Sequence, residues 1–194
     1  MSRYKKWFVF LLILGCFTST TYADSLKKGQ RAPNLTGFDA ISSYRVNLFR
    51  VMTQMNFKRD KQGKLVLGKN GKYISEFTHN VVVLNFFAKT CIPCLREIPT
   101  FNQVAEKFRG ERVKFLYVNV DPNLNKKQTQ DLIRKHGIEI PVLLPNQKEA
   151  IRKYGANRLP RLVVIGKNKR VVKIFKGFHE NLEETLTRQI KKLL

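Results

Sequence analysis

Two cysteines three residues apart constrain this chain more than any other feature. Cys91-Ile-Pro-Cys94 directly follows the apolar run 81–88 and precedes a stretch with helical spacing of apolar residues. At such a strand-to-helix junction the first thiol lies at the helix N-terminus, where unpaired N–H groups and the helix dipole stabilise a thiolate. The second thiol comes one helical turn later, close enough to close a disulfide. The spacing therefore predicts a dithiol–disulfide switch.

Two other uses of the cysteine pair stay open, namely half of a zinc site and a structural or inactive pair. A zinc site needs a second pair of ligands. The third cysteine is Cys16, and the histidines stand singly at His79, His136 and His179. A c-type haem site would need histidine at position 95, where Leu95 stands. Redox chemistry is the favoured interpretation, with no metal and no cofactor beyond the pair itself.

Residues 1–23 have the pattern of an export signal. A basic start precedes the apolar run 7–14, which is short for a bilayer span. Thr21-Tyr22-Ala23 places small residues at positions −3 and −1 of a cleavage site. Ile13-Leu14-Gly15-Cys16 resembles a lipobox, so lipid attachment at Cys16 and an uncleaved anchor are alternatives. All three outcomes place residues 24–194 outside the cytoplasm, in the periplasm or its equivalent, where stable disulfides are allowed.

The charge is strongly positive, with a formal net charge of +23. Subtracting the three cations of the export signal, Arg3, Lys5 and Lys6, from +23 leaves +20 on the mature chain. Such a charge in a cytosolic protein would suggest a nucleic-acid partner, but the export signal and the even spread of basic residues argue against one. A solvated basic surface explains the charge. The sharper alternative is attraction to an anionic membrane surface or to acidic partner proteins.

From position 81 onward, strand and helix patterns alternate along the chain. The strand patterns lie at Val81–Phe87, 113–120, 141–144, 162–165 and 171–175. The helix patterns lie at 95–108, Lys126–His136, Gln147–Tyr154 and 182–193, the last with Asn181 as its expected cap. Strands that alternate with helices, followed by a hairpin and a final helix, predict an α/β sandwich around a mixed sheet.

The stretch 37–69 is ambiguous. Tyr44, Leu48, Met52 and Met55 have helical spacing, whereas Tyr44, Val46 and Leu48 also alternate as in a strand. Beyond it, Asn70-Gly71 between short apolar pairs is a hairpin signal. Long inserts in compact domains are often functional. The stretch is therefore interpreted as an insertion that is either an elaborated surface hairpin and helix or a partner-docking element.

This order resembles the thioredoxin-like superfamily and, more narrowly, the exported TlpA/ResA-like thiol-disulfide oxidoreductases. The motifs that carry the resemblance lie at 29–34, 71–77, 82–88, 91–94, 97–99, 118–121, 154–155 and 159–160. The resemblance covers about 26–36 and 71–194. It implies an α/β thioredoxin-like fold over residues 24–194, in which helices flank a central mixed sheet, with an N-terminal extension and the insertion at about 37–69.

Thiol–disulfide exchange gives the two cysteines different roles. Cys91, expected to be the more exposed thiol at the helix start, attacks the partner disulfide, and Cys94 resolves the mixed disulfide. The resemblance implies that the Leu159–Pro160 peptide bond is cis and that Pro160 faces the cysteines. It also implies that the backbone of Leu159 pairs with a substrate strand.

The substrate surface is expected to include Thr90, Ile92 and Pro93. Relatives in the resembled family usually carry tryptophan immediately before the first cysteine, where this chain has Thr90. That difference removes an aromatic wall beside the site and is expected to change partner choice. Ile92 and Pro93 add neither a charge nor a histidine between the cysteines.

Three further residues are expected to tune the pair. Asn85 stands where many thioredoxins have a buried aspartate that moves the proton of the second cysteine, and an amide cannot act as that base. Glu97 or a water molecule would substitute for it. Lys89 would favour the thiolate if its side chain pointed inward, and a solvated surface cation is the alternative.

These residues predict an exported enzyme that reduces protein disulfides, with cytochrome c maturation as one setting. Its expected partners are protein disulfide or dithiol clients and a membrane electron donor. One alternative is a disulfide oxidase or isomerase on the same fold. Another is a redox-silent thioredoxin-like adaptor at the membrane surface. A peroxidase of the peroxiredoxin type is disfavoured, because such enzymes need an isolated cysteine in a different loop.

Overall fold

The structure is a computed structural model, and it describes residues 26–194. The predictions for residues 1–23, including cleavage after Ala23 and lipid attachment at Cys16, lie outside the described residues. Within residues 26–194, none of the helices combines the length and the apolar character needed to cross a membrane.

Strands and helices alternate along most of the described chain. The strands are β1 (Thr36–Asp39), β2 (Arg45–Asn47), β3 (Thr53–Phe57), β4 (Ser75–His79), β5 (Val81–Phe87), β6 (Val113–Asn119), β7 (Val142–Pro145), β8 (Arg161–Ile165) and β9 (Val171–Lys176). The helices are α1 (Leu48–Val51), α2 (Ile92–Lys107), α3 (Lys126–His136), α4 (Gln147–Tyr154) and α5 (Leu182–Lys191).

Seven strands form one mixed sheet in the order β2-β1-β7-β6-β5-β8-β9. The β5–β6 and β6–β7 pairs are parallel, whereas the β5–β8, β8–β9, β1–β7 and β1–β2 pairs are antiparallel. All seven residues of β5 are buried. This matches its continuous apolar sequence, since a strand covered on both faces has no polar side to expose.

Helices cover both faces of this sheet. On one face, α2, α3 and α5 pack over Val83 and Phe87 of β5. On the other face, α1 and α4 pack over Val82, Leu84 and Phe86. Alternate residues of one strand thus contribute to two separate cores, and the predicted α/β sandwich with a central mixed sheet is confirmed.

Local capping signals explain why some helix boundaries were predictable. Helix α3 begins with a capping box between Asn125 and Gln128 and ends at Gly137, which has a positive φ of 60°. Helix α4 begins at Asn146, whose side chain accepts a hydrogen bond from the N–H of Glu149, and it ends at Gly155. Asn181 precedes α5, but its side chain makes no capping hydrogen bond, so the capping interaction predicted there is wrong.

The stretch 37–69 is divided between two parts of the molecule. Strands β1 and β2 join the main sheet through β7, so its first third is part of the core architecture. Leu48 and Met52 are fully buried, in and just after the single turn of α1. Both readings of the local pattern were thus partly correct, because a short strand runs directly into one helical turn.

Residues 53–79, called the ribbon below, form a separate two-stranded sheet. Strand β3 pairs antiparallel with β4, with Met55 opposite Phe77. Gly71 has a positive φ of 70°, and Gly68 N–H donates to Lys72 O at 2.7 Å, which closes the turn predicted from Asn70-Gly71. Several large apolar side chains of the ribbon are solvent-exposed: Met55, Phe57, Leu65, Leu67, Tyr73 and Phe77.

Candidate active site

The cysteines lie where β5 ends and α2 begins. Between these two elements the chain turns over Ala88, Lys89 and Thr90, and Cys91 N–H donates to Ala88 O at 3.1 Å. The backbone N–H of Lys89 donates to Asp121 Oδ2 at 3.0 Å. Asp121 follows β6, the parallel neighbour of β5, so a carboxylate from the adjacent strand holds the loop that carries the first cysteine.

Cys91 and Cys94 form a disulfide with a Cα–Cα distance of 5.3 Å. Cys91 is the N-cap of α2, and its Sγ accepts a hydrogen bond from the N–H of Cys94 at 3.2 Å. Cys91 is partly exposed, whereas Cys94 is 2% exposed and belongs to the core under α2. A partner can therefore reach only the first sulfur directly.

The loop before β8 meets the same end of the sheet. The Leu159–Pro160 peptide bond is cis, the isomer that the resemblance implies. Arg161, the next residue, lies opposite Phe86 near the end of β5. Leu159 and Cys91 both pack at the margin of one hydrophobic core, and β8 starts at the end of the sheet where β5 ends.

The surface around Cys91 is apolar and open. Ile92 is 57% exposed, and Thr90 and Pro93 are exposed as well. Leu159 is half-buried beside them, whereas Pro160 is buried. Such a surface suits an extended polypeptide whose affinity comes from apolar contact and backbone pairing.

Two buried polar side chains lie between β5 and α2, namely Asn85 and Glu97. Asn85 Nδ2 and Oδ1 and Glu97 Oε2 have no hydrogen-bond partner among the described residues. Glu97 Oε1 accepts a hydrogen bond from His179 N–H at 3.2 Å. Burial raises the pKa of Glu97 to about 7, although this hydrogen bond opposes the shift. Glu97 lies three residues after Cys94 and therefore on the same helix face.

Lys89 is exposed, and its side chain makes no ion pair or hydrogen bond within residues 26–194. The observed interaction of Lys89 is through its backbone, which agrees with a solvated surface cation. Two positioning residues were missed from the sequence, namely Asp121, which holds the cysteine loop, and His179, which bonds Glu97. The Asp121-Pro122 pair after β6 was the available signal for the first. No sequence signal pointed to His179.

Within residues 26–194, no group of three or more histidine, cysteine, aspartate or glutamate side chains is placed to hold a metal ion. Both site cysteines are already bonded to each other.

Comparison with known proteins places the chain in a family. The model of the AhpC/TSA family matches residues 54–174. The thiol-disulfide oxidoreductase ResA of Bacillus thuringiensis subsp. konkukian is 26% identical over 159 residues, which are 81% of this chain and 87% of that protein. ResA of Geobacillus thermodenitrificans is 31% identical over 105 residues. That match covers 54% of this chain and only 59% of the relative's own length.

A solved structure shows the same fold. A thiol:disulfide interchange protein of the thioredoxin family from Chlorobium tepidum superimposes with a TM-score of 0.62 at 18% identity. The superposition covers 86% of this chain and 97% of that one. At this identity the likeness concerns the fold alone.

The family match is more than half of the chain, and it contains both cysteines and the cis proline. The resemblance to ResA-like proteins that the motifs indicated is confirmed by the named relatives. This chain belongs to the AhpC/TSA family, and it is related in sequence to the ResA proteins, which are named thiol-disulfide oxidoreductases.

Proposed function

We propose that this protein is an exported oxidoreductase that reduces disulfide bonds in client proteins. The observation that carries the proposal is the unequal exposure of two bonded cysteines at the start of α2. A client disulfide reaches Cys91, and Cys94, which lies beneath Cys91, then releases the client. The export signal pattern of residues 1–23 supports the extracytoplasmic location.

The exchange proceeds in two balanced steps. The Cys91 thiolate attacks one sulfur of the client disulfide, so a Cys91–client bond forms as the client bond breaks and one client thiolate leaves. Cys94 then loses its proton and attacks Cys91 Sγ, which forms the Cys91–Cys94 disulfide and releases the second client thiolate. The client gains two electrons, and an external dithiol, which we propose is a membrane electron donor, must restore the pair.

The N-terminus of α2 stabilises the attacking thiolate. The N–H of Cys94 points at Cys91 Sγ, and the positive end of the helix dipole lies at the same place. Residues 92–95, the first turn, contain no acidic side chain that would oppose this effect. They also contain no added cation or histidine, so we expect stabilisation to be moderate and the pair to be reducing.

Glu97 is the proposed proton acceptor for Cys94. The amide of Asn85 cannot act as a base, although it is buried on the same side of β5. A carboxyl group with a pKa of about 7 exchanges protons readily near neutral pH. Its unpartnered Oε2 atom leaves one oxygen free to take the proton, directly or through a water molecule.

The cis proline loop is the proposed client-binding element. A client strand would pair with the backbone of Leu159, and its apolar side chains would contact Ile92 and Pro93. Thr90 leaves this surface without a large aromatic wall. Apocytochrome c is one client that fits an exported reductase, and cytochrome c maturation is the setting we propose to test first.

The ribbon supports the further proposal that the protein docks on an anionic membrane surface. Cross-strand partners share one face of a sheet, so Met55 and Phe77 lie together. Phe57 and Tyr73 join them, with ring centroids 6.0 Å apart. The other face is polar and, through Asn56, lines a groove against the body of the protein. The apolar face therefore points away from the body.

The charge of the ribbon indicates which kind of partner binds its apolar face. Residues 53–79 contain six lysines and arginines against two acidic residues. Aromatic side chains surrounded by cations suit the boundary between anionic headgroups and acyl chains. An acidic protein would attract the cations but would not by itself account for the exposed rings.

Serine replacement of each cysteine should separate the two exchange steps. Cys91→Ser removes the accessible nucleophile and should abolish reduction of a model protein disulfide such as that of insulin. Cys94→Ser should accumulate a mixed disulfide with the client, visible as a shifted band on a non-reducing gel. Cys16→Ser, in the export segment, is the matched control and should retain full turnover. Turnover by Cys91→Ser would rule out the mechanism.

The equilibrium potential of the pair should show the direction of electron flow. We expect a value below about −200 mV, nearer to thioredoxin at about −270 mV than to a strong oxidant at about −120 mV. Thiol alkylation across dithiothreitol and glutathione buffers measures it. A value near the oxidant would favour disulfide donation or isomerisation. Failure to form the internal disulfide would favour a redox-silent adaptor.

Glu97→Gln should flatten the pH dependence of stability. Because the folded pKa is raised, the folded state holds an extra proton between about pH 4.5 and 7, so wild-type stability falls as pH rises through this window. We compare the unfolding free energy of Glu97→Gln with that of wild type. After allowance for solvent screening, we expect the difference to shift in favour of the variant by roughly 1–2 kcal/mol as the pH rises from 4 to 8. Urea unfolding of the oxidised proteins measures this difference.

Glu106→Gln is the matched control on the same helix. The hydrogen bond with Arg109 lowers the pKa of Glu106. Glu106→Gln should therefore change the slope of unfolding free energy against pH in the opposite direction. Parallel stability curves for wild type and Glu97→Gln would show that the carboxyl of Glu97 titrates normally.

Replacing the ribbon's exposed rings should weaken membrane binding. We expect the full chain with Phe57→Ser and Phe77→Ser to co-sediment with phosphatidylglycerol-containing vesicles at least about threefold less than wild type, because apolar area inserts at the interface. Added salt should weaken binding of the wild type. Asn56→Ser with Thr78→Ser, on the opposite face, is the control. Equal sedimentation of all three proteins would exclude the ribbon as the docking element.

A further inference from the structure

A cavity opens beside the cis proline, on the far side of the loop from the cysteines. It has a volume of about 600 Å³, and Leu159 forms part of its wall. Three cations, Arg158, Arg161 and Lys176, line it, and no acidic residue does. The remaining lining residues are small or neutral, among them Gly155 and Gly177. The cavity is therefore strongly positive and lies next to the proposed client-binding backbone.

Arg161 is the unusual member of this group. It is 4% exposed, and its Nε and Nη2 atoms are buried without a hydrogen-bond partner among residues 26–194. Burial lowers the pKa of Arg161, which reflects the loss of solvation around its charge. Buried arginines are ordinarily paired, because an isolated buried charge is costly. Arg161, which lines the cavity, thus carries a guanidinium without a counter-ion among residues 26–194.

The sheet register increases this cost. Arg161 lies directly opposite Lys176 in the antiparallel pair of β8 and β9. Like charges at directly opposed positions destabilise a sheet. On its other side Arg161 lies opposite Phe86, which offers no charge. A bound anion between the two cations would relieve both the repulsion and the unpaired guanidinium.

We propose that this cavity binds a carboxylate of the client, supplied by an aspartate or glutamate side chain close to the client's cysteine. The guanidinium of Arg161 holds the carboxylate through paired N–H donors, and Lys176 and Arg158 add charge. This inference rests on the proposed function and deepens it, because it names a specificity-determining residue for the client.

The position of the cavity agrees with the reach of a client strand. Arg161 is two residues after Leu159, whose backbone is the proposed pairing partner. A strand advances about 3.3 Å per residue, so we place the client's acidic residue within three positions of its cysteine, a span of about 10 Å. The predicted clients therefore carry an acidic residue within that distance, and the cavity selects among exported disulfide proteins by charge.

The test uses pairs of peptides that differ only in whether one side chain carries a carboxylate or an amide. Each peptide carries one cysteine as a mixed disulfide with neutral 2-thiopyridine, and either glutamate or glutamine at one position within three residues of it. The reduced full-length protein and peptide are mixed under single-turnover conditions, and release of the chromophore gives the second-order rate constant. We expect a glutamate-to-glutamine rate ratio of at least about five at one position, reduced by salt.

Variants assign the preference to the cavity. In Arg161→Gln the rate ratio should fall to about one, whereas Arg161→Lys should retain part of it because charge remains but the paired donors do not. Lys173→Gln is the matched control, since Lys173 is an exposed cation on β9 outside the cavity, and its ratio should equal that of wild type. Ratios near one at every position in wild type, or an unchanged ratio in Arg161→Gln, would overturn the proposal.

A binding experiment separates this proposal from the proposed function. N-acetylglutamate amide should raise the Tm of the oxidised wild-type protein at constant ionic strength, and its uncharged glutamine analogue should not. This shift needs no redox turnover, so it remains informative if no peptide is reduced. A Tm shift with the peptide preference absent would assign the cavity to a free carboxylate instead of a client side chain. No shift and no preference would refute the site in both forms.

Discussion

The complete burial of β5 is the constraint on which the rest of the molecule depends. With helices on both faces, this strand cannot move without disturbing two cores. Its carboxyl end carries the cysteine loop, and its antiparallel neighbour β8 begins directly after the cis proline at the same end. The two halves of the site are therefore held together by one strand pair, although they are distant in sequence.

Around this rigid centre the protein tolerates several unsatisfied polar groups. Asn85, Glu97 and Arg161 are all buried, and each has at least one side-chain atom without a hydrogen-bond partner among the described residues. Such groups cost stability, and native proteins keep few of them. Asn85 and Arg161 lie on the paired strands β5 and β8, which suits a site where proton transfer and client binding supply partners that the resting protein lacks.

The distribution of function across the surface follows from the same arrangement. Client chemistry is confined to the end of β5, the ribbon projects from the strand just before it, and the cationic cavity lies on the other side of the cis proline loop. Docking is therefore proposed for a surface separate from the other two, whereas selection and exchange meet at Leu159. A protein lying on a membrane through its ribbon would keep its cysteines free.

Prediction succeeded where local chemistry decides the structure. The bounds of α3 and α4 follow from asparagine caps and C-terminal glycines, which act within one turn. It left 37–69 ambiguous, because β2 joins the sheet through β1, which pairs with β7, and the burial of Leu48 depends on that packing. The Asn181 cap failed for a related reason, since the residue type was suitable but the side chain makes no capping bond.

The sequence by itself determined the redox pair, the helix that begins at it and the alternation of strands and helices, because each of these depends on the spacing of neighbouring residues. Only the tertiary structure decided how deeply Cys94 is buried, that Glu97 is buried against the loop of His179, and that Arg161 faces Lys176. These features join segments up to 82 positions apart. Their burial and register arise when strands pair, and local sequence does not specify that pairing.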